Sequence, residues 1–293
     1  MPELPDVEAY LHALRPRVLG REVTGVRVSS ISVLKTWEPP FDRVVGRRVV
    51  GLRRLGKRIV LELDDEWFLV IHLMVAGRLQ WRPTGAKVPA KVGHLAIDVG
   101  DGCLVLTEAS TKKRASVHLV VGEEALSGHD PGGLDPLGLT PTGFREHVRS
   151  ENRTLKRALT DPRVFSGIGN AYSDEILHRA GLSPVQRTRN LDDVEVVRLH
   201  GAVEAVLGEW RDRLIAEAGD GWPTKVTAFR PEMAVHGKYR QPCPVCGSSV
   251  QRIVYAQTEV NYCPGCQTGG RPLADRSLSR LLGDDWEGMG ISG

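Results

Sequence analysis

No stretch of this chain approaches the roughly 20 consecutive apolar residues needed to cross a bilayer. The opening MPELPDVEAY has neither the basic nor the apolar region of a secretory signal, so a cytoplasmic location is expected, with no membrane partner. A strong charge of one sign is also missing. The 39 basic residues against 36 acidic ones leave a net +3, which by itself says little about partners. Internal repeats are absent. Cysteine is sparse, with five in the chain. In a reducing compartment, five thiols raise the question of a metal rather than of disulfides.

What is present is unevenly placed. Between Arg43 and Arg58 stand seven Lys or Arg and no Asp or Glu, whereas Asp284, Asp285 and Glu287 sit near the end. Such a stripe is either a footprint for phosphates or a solvated strand face, and composition does not choose between them. Length of 293 residues, with 41% hydrophobic and 26% charged content, suits a soluble globular chain of one large or two modest domains.

The periodicity divides the chain into an α+β, multidomain arrangement. After Pro5, Asp6 is placed to cap a helix through Val7, Leu11 and Leu14 that ends near Pro16 to Gly20. Short alternating or apolar runs follow, VTGVRV, RIVLEL, WFLVIHL, HLAIDV, CLVLTE and SVHLVV, separated by turn signals, as in a β-sandwich or barrel. Residues 127–143 are dense in Gly and Pro. Helical patterns then run at about 142–160, 170–180 and 191–218, the last with Val194, Val197, Ala202, Val206, Leu207, Trp210 and Leu214 near one face. The expected divisions are a β domain at 1–128, a linker at 129–141, a helical domain at 142–235, a cysteine module at 236–268 and an extension at 269–293, with a short helix in LADRSLSRLL.

Cys243-Pro-Val-Cys246 and Cys263-Pro-Gly-Cys266 are two C-x2-C turns separated by sixteen residues. Each turn lets two thiolates reach one ion, and two turns complete a tetrahedron for a single structural Zn2+ at about 2.3 Å Zn–S distances. The run Val250 to Tyr255 suits a β-hairpin joining them. With all four positions filled, the metal organises and does not react. Cys103, in a strand pattern, reads as a buried core thiol.

The N-terminus carries a second chemical signal. Removal of Met1 would expose the secondary amine of Pro2, and an α-amino group has a pKa near 8, so part of it is free at neutral pH. Attack on C1′ of a deoxyribose would expel the base and leave an iminium, with Glu3 beside it as a general acid. Pro2 to Pro5 is equally a rigid lead-in to a capped helix.

The opening PELPDVE closely resembles the N-terminus of the Fpg/Nei DNA glycosylases, and the likeness extends over most of the chain. It implies that Pro2 is the nucleophile and Glu3 the acid. GKRIVLEL resembles the segment bearing a catalytic lysine, here Lys57. HLMVAGRL resembles the one that inserts a methionine where a base is flipped out, here Met74. SGIGNAYSDEIL resembles the helix–two-turn–helix region, in which Asn170 would bind phosphate, and Lys156 resembles another phosphate contact. The GIGN turn would also aim backbone N–H groups at a phosphate. Such an enzyme extrudes the damaged base and fills the vacated stack. The implied partner is double-stranded DNA with a damaged base or abasic site, bound by a monomer at the bacterial nucleoid.

Three departures from the family stand out. Thr258 and Glu259 follow Gln257 where an arginine is usual at the hairpin tip. Glu108-Ala-Ser-Thr-Lys112-Lys113-Arg114 replaces a wedge loop containing Phe, leaving Arg114 or Lys113 in the arginine's role. Within that same second departure Met74 sits one residue early, which leaves either Met74 or, by strand alternation, Val75 as the inserted side chain. The stretch Gly221 to Gly237 also looks shorter than in the 8-oxoguanine branch. The leading expectation is a glycosylase with AP lyase activity. The alternatives are a scaffold that binds distorted DNA without excising a base, and a zinc-ribbon protein-interaction module.

Overall fold

The structure, a computed structural model, describes residues 1–255 and 258–273. Gln257 and the expected helix from residue 274 onward lie outside the described residues. Packing divides the chain into two compact units: residues 1–140, 159–169 and 203–228 form one, and residues 141–158, 170–202 and the described residues from Phe229 form the other. The linear boundaries expected from composition are thus cut differently. The Gly/Pro-rich linker joins the first unit because Leu134 bridges to Phe165, with Leu134 N–H on Val164 O and Ser166 N–H on Leu134 O.

The first unit begins with helix α1 (Leu4–Val18). Its N-cap is Glu3 and not the expected Asp6, which sits at the third helical position and accepts the Glu3 N–H at 2.9 Å. Pro5 is tolerated there because its missing N–H would lack a helical partner anyway. Val7, Tyr10, Leu11 and Leu14 carry the helix into the core.

Eight strands follow: β1 (Val23–Val28), β2 (Val49–Leu55), β3 (Arg58–Leu63), β4 (Trp67–His72), β5 (Gly77–Pro83), β6 (Gly93–Val99), β7 (Gly102–Glu108) and β8 (Ser116–Val121). They form two antiparallel sheets, β1-β6-β7-β5 and β2-β3-β4-β8. Alternation decides the sides: Ile59, Leu61 and Leu63 enter the main core with Leu69, Ile71, Ile97 and Leu106, while Val60, Phe68, Val70 and Val120 face outward under Leu126 of helix α2 (Glu123–Ser127). Cys103 is fully buried, as read from its strand pattern.

The basic stripe is mostly consumed inside this unit. Arg47 lies 3.8 Å over the Trp67 ring, Arg48 donates to Gly20 O, Arg53 pairs with Glu62 and Glu123, and Arg54 pairs with Glu8 and Asp135. Neither a solvated face nor an open phosphate track describes these four.

Residues 219–228 belong to this unit as well. Trp222 donates its indole N–H to Leu79 O at 2.8 Å, stacks on Trp81 at 6.1 Å and tilts against Tyr10 at 5.7 Å. Val226 enters the main core. Truncating this half-buried anchor, Trp222→Ala, is expected to cost about 2–3 kcal/mol, at or below the lower end of buried aromatic truncations, and urea titration measures it.

In the second unit, α3 (Pro141–Val148) and α4 (Leu155–Thr160, which runs on into the first unit) replace the single pattern expected at 142–160. Helix α5 spans Asn170–Ala180 and α6 spans Asp193–Ala218, the latter also shared with the first unit. On α6 the buried face runs through Val196, Leu199, Val203, Leu207, Trp210 and Leu214, while Val194 and Val197 are 74% and 53% exposed. The expected face is therefore correct in its second half and rotated in its first turn, where the helix starts two residues later than the pattern suggested.

Strands β9 (Gln251–Tyr255) and β10 (Thr258–Tyr262) form the expected hairpin, followed by a single turn, α7 (Pro264–Gln267). Two adjacent carboxylates of α5 organise the approach to it. Glu175 accepts the N–H groups of Ala234, Val235 and His236 at 2.7–2.9 Å. Asp174, fully buried, pairs with Lys156 and accepts from His236 Nδ1 at 2.8 Å and Asn261 N–H at 3.2 Å. No helix among the described residues is long and apolar enough to cross a membrane.

Candidate functional site

The first unit gathers Glu3, Lys57 and the 167–169 turn. Lys57 sits at the tip of the β2–β3 hairpin, where Leu55 pairs with Arg58 and Gly56 has φ +62°, leaving a two-residue turn that glycine favours. Arg54, with its side chain only 8% exposed, also donates to Gly56 O at 3.3 Å and holds that turn against α1. Gly167, at φ +91°, accepts the Leu4 N–H at 3.0 Å, and a Cβ there would lie 2.9 Å from Leu4 Cβ. Gly169 N–H donates to Glu3 Oε2 at 2.7 Å.

A Cβ on Gly169 would lie 2.4 Å from Glu3 Cδ and 2.6 Å from Lys57 Nζ. Carboxyl and ammonium therefore converge on one backbone position that only glycine leaves open. The Gly169 N–H is spent on Glu3, and not aimed at a phosphate as the turn motif suggested. A charge-assisted bond to a 3% exposed carboxylate is the stronger claim on it.

Pro2 is buried beside this cluster. The terminal ammonium of Met1 is held below its usual value mainly by burial; Glu3 pulls it up, Arg78 pushes it down, and Asp6 and Lys57 add smaller opposing effects. Arg78 was not singled out in the sequence, because nothing in GRLQW distinguishes it from any strand arginine.

The other expected DNA contacts in this unit lie on turns. Met74 is half-buried at φ +53°, in a tight turn closed by Gly77 N–H on Leu73 O. Val75 beside it is 57% exposed. The strand alternation invoked for Val75 does not apply inside a turn, although its exposure stands. Arg114 is exposed on the loop after β7, with its backbone N–H held by both Glu108 carboxylate oxygens at 3.0 Å. Glu108, 1% exposed, is in turn held by His94 Nε2 at 3.0 Å.

In the second unit, Asn170 opens α5 and its Nδ2 donates to Glu259 O at 2.8 Å. Lys156 is 8% exposed, and its Nζ donates to Asn170 O at 2.7 Å and to Asp174. Its charge is already matched by Asp174, so a phosphate there would have to share it. At the hairpin, the Glu259 carboxylate is answered by Arg252 at 3.0 Å and by Asn261 Nδ2 at 2.9 Å.

The cysteines form a cluster that could hold a metal ion. The ligand atoms of Cys243, Cys263, Cys266 and His178 all lie within 4.8 Å of one another. Cys246 Sγ is 3.3 Å from Cys263 Sγ, and Cys243 Sγ is 3.8 Å from Cys266 Sγ. A tetrahedral site with ~2.3 Å metal–sulfur bonds has sulfurs about 3.8 Å apart, so the donor set fits. His178 was not anticipated. It projects from α5, far from the cysteines in sequence, and places Nε2 3.2 Å from Cys243 Sγ.

Known proteins resemble this chain at both levels. Residues 1–115 match the family model of the formamidopyrimidine-DNA glycosylase N-terminal domain, and residues 133–210 match the formamidopyrimidine-DNA glycosylase H2TH domain. A formamidopyrimidine-DNA glycosylase of Chloroflexus aggregans is 32% identical, over 91% of this chain and 98% of the relative. Its counterpart in Heliobacterium modesticaldum is 33% identical, over 91% of this chain and all of the relative. Among solved structures, a point mutant of Lactococcus lactis Fpg in complex with a Fapy-dG containing DNA has a TM-score of 0.79 at 25% identity, covering 91% of this chain and 100% of that one. Wild-type L. lactis Fpg with an oxidized pyrimidine containing DNA has a TM-score of 0.80 at 26% identity, with the same coverage.

Proposed function

Since the chain belongs to the Fpg/Nei family of formamidopyrimidine-DNA glycosylases and is a base-excision-repair glycosylase and AP lyase acting on DNA, we propose that its reaction runs through the amine of Pro2, with Glu3 and Lys57 as partners. The observation that carries this is the convergence of Glu3 and Lys57 on Gly169, next to a buried Pro2. Once Met1 is removed, the Pro2 nitrogen attacks C1′. The glycosidic bond breaks toward the base, which leaves with the electron pair and takes up the proton lost by the nitrogen; the nitrogen lone pair then breaks the C1′–O4′ bond, O4′ gains a proton, and the opened sugar remains as an iminium at C1′. Loss of the C2′ proton then expels the 3′ phosphate and nicks the strand.

Glu3, fixed by the Gly169 N–H, is assigned to move protons at the sugar or the departing base. Lys57 and Arg78 supply positive charge near the chain terminus, where both act on the Met1 ammonium. On the DNA side, Asn170 and Lys156 are assigned to phosphate, Arg114 to the gap left by the flipped nucleotide, and the Met74–Val75 turn to the stack. The exposure of Val75 favours it over Met74 as the inserted tip. The cysteine cluster holds one structural Zn2+, with Cys243, Cys246, Cys263 and Cys266 as ligands and His178 beside them. A monomer at the nucleoid fits this reading.

Borohydride trapping tests the nucleophile: the mature chain incubated with abasic-site duplex should give a covalent adduct, mapped to Pro2 by mass spectrometry. No adduct under any condition would reject the assignment. Pro2 is itself buried, and burial disfavours the charged form of an amine. The trapping rate should therefore rise with pH to a plateau with its midpoint below the ordinary value of about 8. A midpoint at or above 8 contradicts a desolvated amine.

Removal of the metal by a chelator should release one zinc per chain and lower the melting temperature. A structural zinc contributes its binding free energy to folding, on the order of 10 kcal/mol in isolated modules.

A further inference from the structure

Three histidines and two cations outside the reaction centre meet on the outer face of the β2-β3-β4-β8 sheet. Arg58 pairs in register with His72, and Val70, beside it on β4, pairs with His118. His129, from the segment after α2, packs against His118 with ring centroids 4.4 Å apart. All are half-buried.

The charged and titratable groups facing this cluster are Arg58 from β3, Lys57 from the hairpin tip, His72 from β4, Lys35 from the loop whose backbone binds Val117 O, and Asp130 beside His129. Asp130 is the one anion in that set. Burial, then Arg58 and Lys57, hold His72 down to about 4; burial, then His129, then Arg58 and Lys35 hold His118 down to about 4; and burial followed by Arg58 lowers His129. Near neutral pH the rings are uncharged, and the cluster is a field of fixed positive charge with proton acceptors inside it.

Two ligand classes suit imidazoles, and the surroundings choose between them. A divalent metal would meet Arg58 and Lys57, and among the described residues the only converging metal-ligand group is the one at the cysteines. An anion would meet Arg58 directly and make protonation of the rings favourable.

We propose that Arg58, His118 and His129 form an auxiliary phosphodiester subsite, adjoining the hairpin tip that carries Lys57, whose hold on the DNA backbone is coupled to proton uptake. This rests on the reading of the chain as a DNA-binding enzyme. A docked phosphate adds negative charge to a cluster whose one anion is Asp130, raises the affinity of the rings for protons, and is bound more tightly as protons become available. The sign follows from linkage: the complex binds more protons than the free protein, so affinity increases as pH falls.

The test is the pH dependence of binding to a duplex carrying a tetrahydrofuran abasic analogue, measured by fluorescence anisotropy between pH 7.5 and 5 at fixed salt. Wild type should gain at least about tenfold more affinity over that range than His118→Gln/His129→Gln, one decade per proton taken up per pH unit. Parallel profiles would overturn the subsite while leaving DNA binding intact; a wild type that binds at no pH would overturn the DNA reading itself. Should the double variant unfold, histidine ring titrations by NMR in the wild type decide the matter. The midpoints of His118 and His129 should move upward when the duplex is added, and unmoved midpoints reject the proposal.

Discussion

A Gly169→Ala variant is expected to fold with nearly unchanged stability and to lose at least about a hundredfold in base release, the scale of a misplacement of about 1 Å at a reacting group. The backbone at this position is not in the left-handed region, so alanine carries no conformational penalty of that kind. The added methyl instead meets Glu3 Cδ and Oε1 at 2.4 Å and Lys57 Nζ at 2.6 Å. These atoms are the ends of side chains and can move aside, which spares the fold. They are also the groups the proposed reaction needs in place. Gly77 is the useful contrast, since a Cβ there would strike Leu73 O at 2.2 Å, a backbone atom that closes the Met74 turn. Single-turnover excision assays beside urea titrations separate the two cases. Full activity in Gly169→Ala would remove the case for a fixed Glu3–Lys57 pair.

The second large effect separates the proposed nucleophile from the proposed acid. Pro2→Gly leaves a primary amine without the ring that fixes it, and the borohydride-trapped adduct should disappear. Glu3→Gln keeps the volume at the α1 cap and an oxygen that still accepts the Gly169 N–H, but carries no proton to give or take. Base release should fall by about 10²–10⁴, the usual worth of a positioned acid or base. Binding to an abasic analogue should change little, because Glu3 is 3% exposed and bonded within its own unit. Unchanged excision in Glu3→Gln would move the proton-transfer role to another group.

Much of this arrangement is readable in the chain, and what is not has definite causes. Strands with alternating apolar residues, such as RIVLEL and SVHLVV, are where the pattern put them. β2 and β5 were missed because glycine and arginine interrupt the apolar alternation of VVGLRRL and GRLQWRP, and pairing with β3 and β7 supplies the stability that sequence propensity does not. The two cysteine turns announce themselves by spacing, yet His178 reaches the same cluster through the packing of α5 and leaves no mark in the sequence. The cap of α1 was misplaced by three residues, since Asp-after-Pro is the commoner signal and Glu3 acquires its partner from Gly169, which is distant in the chain. The arginines between positions 43 and 58 could not be sorted without knowing that Glu8, Glu62, Glu123 and Asp135 come to meet them.

The neighbouring carboxylates of Asp174 and Glu175 have a consequence for how the second unit comes apart. One grips three successive amides just ahead of the first cysteine turn, and the other grips the β10 backbone at Asn261. Both belong to a single helical turn, so the finger cannot fray by itself as terminal modules often do. Its amides should exchange with deuterium in step with those of the helix, and heat should melt them together as one cooperative block.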